Sequence, residues 1–376
     1  MAETVNVLIL YQFKEHENLL RQLKVNLKRF DIELALFNTR NFKFSDDKTN
    51  YWFLQILAGI PKIRTIAYKL FRNRLIRKLA NDYDIIDIHF FSSIYDSLLA
   101  ENFHPNIKIS FWGSDAYRIS KTRKEKLNEL TTNSKLIRFN TVEMLLKMED
   151  VFEHKAKLGF QIFGNEYFRT ISSINTTKIQ AKEQLKIPLE KTSVIIGYNA
   201  SQGQQHERIL NQLTNLPDDL KNKLVLVLPL TYGGDLPRKK EIIEIAKKTA
   251  IETIYFTNSL TELELCKLRL CSDIAINLQI SDAFSASLQE HFYTNTLMIL
   301  GNWLPYDWLA KKGLKFYAID KDQLNECLLK VVDNIELEQM RCSANKQIIS
   351  SISSWEYVCS DWRDDYIQMI QAHSSE

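Results

Sequence analysis

The chain has 376 residues, which exceeds the size of one ordinary hydrophobic core, so we expect two domains. Hydrophobic residues make up 45% of the sequence and charged residues 25%, a composition that argues against an intrinsically disordered protein. The formal net charge of +3 is too small to indicate, by itself, a nucleic-acid-binding protein.

Strands and helices alternate along the first half of the chain. The predicted helices there are amphipathic and include residues 14–30 and 61–82. The predicted strands are short apolar runs: VNVLIL (5–10), IELALFN (32–38), YDIIDIHFF (83–91), IKISFW (107–112) and KLIRFN (135–140). This alternation is typical of βαβ units, which build a parallel sheet covered by helices on both faces.

The same alternation restarts after a polar stretch at 171–192, so we place a domain boundary there. The second series of strands is TSVIIGYN (192–199), KLVLVLPLTYGG (223–234), IETIYFT (251–257), DIAINLQI (273–280) and LMILGN (297–302). We therefore predict a doubly wound α/β protein with domains at 1–185 and 186–354, followed by a terminal segment at 355–376. Two such halves would leave a cleft where the carboxyl ends of their strands face each other.

The cysteines and the amino terminus bear on the cellular compartment. The five cysteines have no CxxC spacing, and an odd number favours a reducing environment over a disulfide framework. Met1 is followed by an acidic residue and a short strand, so we expect no signal peptide. No run approaches the roughly 20 apolar residues of a membrane span. These features predict a cytoplasmic protein.

Three segments carry a resemblance to a known family. They are SFWGSDAYR (110–118), IIGYNASQGQQHE (195–207) and DAFSASLQEHFYTNTLMILGNWLPY (282–306). Together they resemble a GT-B glycosyltransferase of the retaining, family-four-like kind. The middle segment and VLPLTYGG (227–234) also resemble bacterial transferases that add an acetylated aminofucose to a lipid-linked sugar.

The resemblance implies a fold and an activity. The fold would be GT-B, with two Rossmann-like domains facing across a cleft: an acceptor-binding domain first and a nucleotide-sugar-binding domain second. The activity would be hexosyltransferase-type transfer of a sugar, with retention, from a nucleotide-diphosphate sugar to a glycan or lipid-linked acceptor. Synthesis of a bacterial surface polysaccharide or glycoconjugate is the implied role. The terminal helix at 355–376, with Trp355, Tyr357, Trp362 and Tyr366, would cross back to the first domain; these aromatic residues could equally be core of the second.

Asp282 and Glu290, eight positions apart, frame a loop and the start of a helix. Free backbone N–H groups and the positive end of a helix dipole are a natural seat for a diphosphate. By resemblance, Asp282 faces the transferred sugar, and Glu290 accepts hydrogen bonds from the ribose hydroxyls. The phosphates would be cradled by small residues, Ser285, Ala286 and Ser287. An ordinary helix with an aspartate cap and a serine-rich first turn is the alternative interpretation.

The segment at 195–207 resembles the second donor loop of this family. Its side chains, together with the turn after the next strand, would bind phosphate or sugar: Tyr198, Asn199, Ser201, Gln205, Tyr232 and Gly233. His206 would contact the diphosphate, or would be a capping or surface histidine. Many family-four enzymes carry an arginine and a lysine around this loop, whereas here the loop has neither before Arg208. Substitutes for the missing charge would be Arg208, Arg238 or Lys239.

On the acceptor side, the sequence reads Trp112-Gly113-Ser114-Asp115 where the family often has His-Gly-Ser/Thr-Asp. Gly113 would let the backbone approach the sugar, and Asp115 would orient a hydroxyl. His89, at the end of a neighbouring strand, is the nearest analogue of the missing histidine. A lone histidine at a strand end is more often structural.

We expect no metal and no cofactor, with the nucleotide-diphosphate sugar as the donor substrate. A retaining transferase of this fold can use the leaving diphosphate, held by backbone dipoles, to assist the acceptor hydroxyl. No DxD-type metal motif occurs in a suitable loop. The pairs Asp46-Asp47 and Asp364-Asp365 are interpreted as solvated surface.

A basic segment predicts where the protein acts. Residues 48–81 contain eight Lys or Arg and no Asp or Glu. Within them, 62–78 combines basic and apolar residues, as expected of a helix lying peripherally on an anionic membrane. A core-packed helix with a solvated basic face is the alternative. No recognition fold for nucleic acid accompanies the patch, so we expect no nucleic-acid partner.

Two other functions remain open from the sequence. A sugar-nucleotide epimerase of the same architecture would turn over sugar nucleotide without an acceptor. A non-catalytic GT-B subunit would bind a partner transferase or a glycan, and the missing histidine and depleted loop charge keep this alternative open.

Overall fold

The computed structural model describes residues 4–46, 66–117 and 119–371. The chain divides into two compact units. The first unit comprises Met1–Gly164 and Trp355–Glu376, and the second comprises Asn165–Ser354. Both units are α/β, with parallel sheets, as predicted.

The first unit is built on a seven-stranded sheet with the order β3-β2-β1-β4-β5-β6-β7. Its strands are β1 (Val5–Tyr11), β2 (Ile32–Asn38), β3 (Lys43–Phe44), β4 (Ile85–His89), β5 (Ile107–Phe111), β6 (Leu136–Phe139) and β7 (Leu158–Phe160). All neighbouring strands pair in parallel except β2 and β3, which are antiparallel. The two edge strands escaped prediction because runs of two or three residues carry no periodic signal.

Helices of the first unit follow the strands they connect. They are α1 (Lys14–Leu27), α2 (Ile66–Ala80), α3 (Asp96–Ala100), α4 (Ser114–Tyr117), α5 (Lys121–Thr131) and α6 (Val142–Met148). The buried core consists of apolar residues from β1, β4, β5 and β6 and from the helices that pack on them. Strands β4 and β5 are buried along their whole length, although each alternates apolar and polar residues. Their buried polar residues are Asp87, His89, Lys108 and Ser110.

The second unit is built on a six-stranded sheet with the order β10-β9-β8-β11-β12-β13, parallel throughout its described pairs. Its strands are β8 (Thr192–Ile196), β9 (Leu224–Pro229), β10 (Glu252–Phe256), β11 (Ile274–Asn277), β12 (Leu297–Gly301) and β13 (Tyr317–Ile319). Its helices are α7 (Tyr167–Ser173), α8 (Lys178–Gln184), α9 (His206–Leu213), α10 (Asp218–Lys223), α11 (Leu236–Lys247), α12 (Glu262–Leu270), α13 (Ala286–Tyr293), α14 (Asp307–Lys311), α15 (Leu324–Val331), α16 (Ile335–Arg341) and α17 (Asn345–Ser353).

The units meet in sequence at Gly164 and Asn165, not at the predicted residue 185. The difference arises because α7 and α8 pack against α12 of the second unit. The Nζ of Lys182, on α8, donates to Asp273 Oδ2 at 2.7 Å, just before β11. The polar composition of this stretch suggested a linker. However, its charged residues Lys178 and Lys182 pair with Asp273 inside the second unit.

The terminal helix, α18 (Trp355–Gln371), belongs to the first unit. Trp355, Trp362 and Tyr366 are buried there, whereas Tyr357 is exposed. The indole N–H of Trp362 donates to the carbonyl of Ile162 at 2.8 Å.

Asp365 corrects the interpretation of Asp364-Asp365 as solvated surface. The carboxylate of Asp365 is buried and accepts hydrogen bonds from Arg138 Nε and Gln161 Nε2, both at 2.8 Å. The ammonium of Lys108, which is fully buried, lies 3.0 Å from Asp365 and 3.7 Å from Asp87. Asp365 occupies the face of α18 that points into the unit, while the neighbouring Asp364 points outward.

Three further features of the described residues bear on function. Their helices include none that is both long and apolar enough to cross a membrane. They also contain no group of three His, Cys, Asp or Glu side chains arranged to hold a metal ion. All five cysteines are buried free thiols.

Candidate functional site

A cavity of about 500 Å³ lies in the second unit, where the loops after β8, β9 and β10 meet the start of α13. Six of its lining residues are predicted donor-site residues: Tyr198, Tyr232, Ser285, Ala286, Ser287 and Glu290. Six others were not predicted: Tyr167, Thr231, Ser259, Leu260, Leu265 and Arg269. Seven of the twelve carry a hydroxyl, so the lining can donate many hydrogen bonds to a polar ligand.

The start of α13 forms one wall of this cavity. Ser285 is the N-cap residue, and the first-turn residues Ala286 and Ser287 also line the cavity. Their backbone N–H groups have no partners within the helix, so they can bind an anion.

Asp282 shapes the loop that leads to this helix. Its Oδ1 accepts from the backbone N–H of Ala283 at 2.9 Å, and its Oδ2 accepts from the hydroxyl of Ser285 at 3.0 Å and from that of Tyr306. Burial raises the pKa of the Asp282 carboxyl, although these hydrogen bonds oppose the rise. The structure therefore shows Asp282 holding its own loop, and its contact with a transferred sugar remains a prediction.

Glu290 lies one turn further along α13 and is 4% exposed. Its Oε2 accepts from Nε of Arg269 at 2.9 Å, and both side chains line the cavity. Arg269 is on α12, 21 residues earlier in the sequence, and no motif marks it.

The second donor loop folds tightly on itself. Gly197 has a φ of +64°, and a Cβ there would lie 2.8 Å from Gln204 Oε1. The Oδ1 of Asn199 accepts from the backbone N–H of Ser201 at 2.9 Å. A Cβ on Gly233, whose φ is +81°, would lie 3.0 Å from that same oxygen. The loops after β8 and β9 therefore brace each other through these residues.

Five of the predicted donor residues lie outside the cavity lining: Asn199, Ser201, Gln205, His206 and Gly233. Gln205 has a φ of +60° and donates through Nε2 to the carbonyl of Gln202 at 3.2 Å. These residues support the loop that carries Tyr198, which does line the cavity.

The predicted contact of His206 with a diphosphate is not what the structure shows. His206 is 0% exposed, with its Nε2 3.2 Å from where a Gly197 Cβ would lie. Burial and the nearby Arg238 lower its pKa to about 4, so the ring is neutral at pH 7. The physical reason is its place on α9, where His206, Ile209, Leu210 and Leu213 form one apolar stripe.

The three proposed substitutes for the missing loop charge are occupied elsewhere. Arg238 pairs with Glu207 and Glu241, and Lys239 Nζ donates to the carbonyl of Thr257 at 2.9 Å. Arg208 lies 3.6 Å from Asp322. The basic residue that does line the cavity is Arg269.

In the first unit, Asp115 binds the backbone around the predicted acceptor motif. Its Oδ1 accepts from the N–H groups of Trp112 and Gly113 at 2.9 and 2.8 Å, and its Oδ2 from that of Phe91 at 2.9 Å. Burial raises the pKa of Asp115 to about 6, against the lowering effect of these N–H groups. Ser114, between Gly113 and Asp115, is the first residue of α4. Asp115 thus joins the turns after β4 and β5, and its action on an acceptor hydroxyl stays a prediction.

His89, proposed to line a cleft, has no exposed surface. Its Nδ1 accepts from the indole N–H of Trp112 at 3.1 Å, and its ring stacks on Trp362 with centroids 5.9 Å apart. Its Nε2 lies 3.3 Å from Asp87. Direct contact with an acceptor would require these rings to move, because they cover the imidazole.

The carboxyl edge of the same sheet instead presents half-buried aromatic rings. The ring of His16 stacks on Trp112 with centroids 4.0 Å apart, and Trp112 also contacts Phe163 at 4.7 Å. Phe13 and Phe90 extend the group, with centroids 4.7 Å apart. We call these five residues the aromatic surface of the first unit. Among these five residues, only Trp112 lies in a segment that resembles the family.

The solved structures that resemble the whole chain include the following three. HepE of Anabaena, in complex with UDP and glucose, is 12% identical, with a TM-score of 0.69 over 99% of this chain and 100% of that one. A glycosyltransferase from Rickettsia africae is 12% identical, with a TM-score of 0.72 over 98% and 99%. Sucrose-phosphate synthase from Thermosynechococcus elongatus is 10% identical, with a TM-score of 0.74 over 98% and 100%.

No protein-family model matches the chain, and the search of curated proteins finds no match. At 10–12% identity the structural likeness shows the fold alone. That fold is GT-B, as the sequence motifs implied.

Proposed function

We propose that the protein is a glycosyltransferase that binds a nucleotide-diphosphate sugar in the cavity of the second unit. The observation that carries this proposal is the joint placement of a helix start, Ser285–Ser287, and the buried carboxylate of Glu290 in one hydroxyl-rich cavity. The helix start suits a diphosphate, and the carboxylate suits a pair of hydroxyls. The complex of HepE with UDP and glucose supports a nucleotide-sugar ligand for this fold.

The proposed chemistry is transfer with retention to a glycan or lipid-linked acceptor. The bond between the sugar and the diphosphate breaks, and the acceptor hydroxyl forms the new bond on the same face of the sugar. A diphosphate oxygen accepts the hydroxyl proton, while the α13 N–H groups and cavity hydroxyls stabilise the charge of the leaving group. The finer resemblance, to family-four-like enzymes and to acetylaminofucose transferases in bacterial surface polysaccharide synthesis, belongs to this proposal.

The aromatic surface of the first unit is the proposed acceptor contact. Phe13, His16, Phe90, Trp112 and Phe163 are all partly exposed. Aromatic rings offer large apolar area in a fixed geometry, which suits the apolar face of a sugar ring. Gly113 and Ser114 lie beside Trp112 in the turn that Asp115 holds.

The proposal is tested by thermal shift with UDP-, GDP- and TDP-sugars, using two matched variants. Ala286 and Ala310 are both exposed alanines of the second unit, but only Ala286 lines the cavity. We expect a nucleotide sugar to raise the Tm of the parent and of Ala310→Trp, but not of Ala286→Trp, whose indole fills the cavity. A parent unaffected by every nucleotide sugar, or an unchanged shift in Ala286→Trp, would refute the proposed site.

A non-catalytic nucleotide-sugar-binding subunit is the second candidate. It is favoured by one observation: the cavity cation Arg269 already pairs with Glu290, so little positive charge is left for a leaving diphosphate. This candidate predicts binding of nucleotide sugar without release of nucleoside diphosphate, in the presence or absence of glycan acceptors. An epimerase would instead convert the sugar nucleotide without any acceptor.

We expect sugar transfer to survive chelation of metal ions. The proposed stabilisation of the leaving group comes from backbone N–H groups and hydroxyls, none of which needs a divalent cation. The measurement is release of nucleoside diphosphate before and after 5-minute treatment with excess EDTA (roughly a hundredfold over protein). Loss of turnover that Mg²⁺ or Mn²⁺ restores would contradict the prediction.

The proposed membrane contact needs one correction. Arg72, counted with the basic face of 62–78, is 5% exposed and donates to the carbonyl of Ile94 at 2.7 Å. It is buried because it faces the core side of α2. Lys62 and Arg64 lie outside the described residues, and so does the side chain of Lys69. The exposed residues of α2 include Arg74, Lys78 and Phe71, which is 47% exposed.

We propose that this exposed face contacts anionic lipid. Reversing Arg74 and Lys78 to Glu is expected to weaken binding to phosphatidylglycerol vesicles by at least about 2 kcal/mol, or roughly thirtyfold. Reversing two exposed lysines of α5, Lys124 and Lys126, serves as the control with equal charge change. Equal vesicle sedimentation of the α2 variant and the parent would show that this face is only solvated surface.

A further inference from the structure

Arg269 contacts two consecutive residues of α13. Its Nε donates to Glu290 Oε2 at 2.9 Å, and its Nη1 lies 3.4 Å from Nε2 of His291. Arg269 is 5% exposed, and its partners are at least as deeply buried. A planar guanidinium that meets two partners through different nitrogens has its orientation fixed.

His291 completes this arrangement in its neutral form. Burial, together with the charge of Arg269, lowers the pKa of His291 well below its ordinary value. Because arginine can only donate, His291 Nε2 is the acceptor and the ring proton belongs on Nδ1. Nδ1 lies 3.4 Å from the hydroxyl oxygen of Thr296, which can accept a hydrogen bond from the Nδ1–H group.

Glu290 is left with capacity for a ligand. Among the described residues, the side-chain hydrogen bonds to its carboxylate come from Arg269 alone, and they reach only Oε2. The residue lines the cavity, so ligand hydroxyls can approach the carboxylate. A carboxylate buried to this degree without a counter-charge would be strongly disfavoured. Arg269 therefore supplies the counter-charge for a carboxylate in the cavity wall.

We propose that Arg269 is a positioning residue that aims Glu290 at the ribose and so restricts the donor to ribonucleotides. The inference rests on the proposed function, because it presupposes a nucleotide in this cavity. It predicts that the donor is a ribonucleoside-diphosphate sugar, such as a UDP-sugar or a GDP-sugar, and not a sugar of deoxythymidine diphosphate. A deoxyribose leaves the fixed carboxylate without one of its hydroxyl donors.

The test compares UDP with 2′-deoxy-UDP, and GDP with 2′-deoxy-GDP, by calorimetry on the intact chain. We expect the parent to bind one ribonucleotide roughly tenfold or more tightly than its deoxy form, as for a hydrogen bond to a charged group. Arg269→Met should remove most of this preference, and Arg269→Lys should retain part of it. Lys267→Met, which removes a charge from the same helix outside the cavity lining, should keep the parental ratio.

A double-mutant cycle separates positioning from general damage. Glu290→Gln and Arg269→Met remove the same interaction, so their effects on the ribose-to-deoxyribose ratio should not add in the combined variant. If methionine at 269 prevents folding, Arg269→Gln carries the same expectation. In turnover, KM for the ribonucleotide sugar should rise while kcat changes less.

The outcomes separate the two proposals. A parental ribose preference in a folded Arg269→Met protein overturns the inference and leaves the proposed function standing. Equal affinity of the parent for ribo and deoxy forms overturns the inference as well. A parent that binds neither UDP nor GDP, nor any nucleotide sugar, overturns both.

Discussion

In the Lys108→Ala variant, the free energy of unfolding of the first unit is expected to fall by about 3–5 kcal/mol. Lys108 is fully buried, donates to Gln161 Oε1 at 2.6 Å and lies between the carboxylates of Asp87 and Asp365. Its ammonium is also 4.1 Å from the ring centroid of Trp362. Removing the Lys108 ammonium takes one positive partner away from each of the two buried carboxylates. Because Asp365 is on α18, the change also weakens the packing of α18 on the sheet.

The measurement is urea unfolding together with hydrogen exchange of β5 and α18, since two units need not unfold as one. Lys24→Ala is the matched control, because Lys24 pairs with Asp46 at the surface of the same unit. A surface pair contributes about 0–1 kcal/mol. Equal loss of stability in the two variants would show that the buried pairs contribute no more than a surface one.

The same network predicts how the first unit responds to acid. Burial by itself raises the pKa of Asp87, but the neighbouring His89 and Lys108 more than offset this and hold it at about 2. The ordinary value is 3.8, so the folded pKa is depressed. The resulting stabilisation is fully present above about pH 4 and is lost as the pH falls toward 2. Removing Lys108 should move acid unfolding to higher pH.

Among single alanine substitutions of the cavity-lining residues, Glu290→Ala should cause the largest loss of nucleotide-sugar affinity. Each ribose hydroxyl that donates to this carboxylate would contribute about 1.5–3 kcal/mol, so the loss of two should weaken binding by roughly a hundredfold or more. Alanine also leaves the buried Arg269 without its partner, so Glu290→Gln is measured beside it. Calorimetry with the nucleotide sugar that gives the largest thermal shift supplies the affinities.

Glu326→Ala is the control for this change. Glu326 is an exposed glutamate on α15 of the same unit, and it is not among the cavity-lining residues. We expect its nucleotide-sugar affinity to equal that of the parent. Unchanged affinity in folded Glu290→Ala and Glu290→Gln proteins would remove Glu290 from the donor site.

Sequence motifs predicted some, but not all, of the residues that line the cavity. Six donor residues were predicted from short segments, and the structure brings all of them to one cavity: Tyr198, Tyr232, Ser285, Ala286, Ser287 and Glu290. They could be found because the segments that carry them resemble the donor loops of a known family, and loops at the carboxyl ends of parallel strands converge. Asn199, Gly233 and Gln205 have the same local signal, but their contacts brace the loops. Local sequence does not distinguish these two roles.

Some misassigned residues could have been found from the sequence alone. His206 falls on the apolar stripe of α9 with Ile209, Leu210 and Leu213, and this spacing already predicts a buried ring. Arg72 is different. It stands among exposed basic residues of α2, and only the fold shows that its guanidinium turns inward to the carbonyl of Ile94.

The sequence by itself determined the α/β fold class, because short apolar strands that alternate with amphipathic helices bury their apolar faces in parallel sheets covered by helices. It also determined that α13 begins with small residues beside a glutamate. The tertiary structure alone decided which charges meet: Arg269 with Glu290, and Lys108 with Asp365. Burial makes an unpaired charge costly, so each such residue must find a partner. Which residue becomes the partner depends on which elements pack together in space. The separation of the two residues along the chain does not predict this pairing.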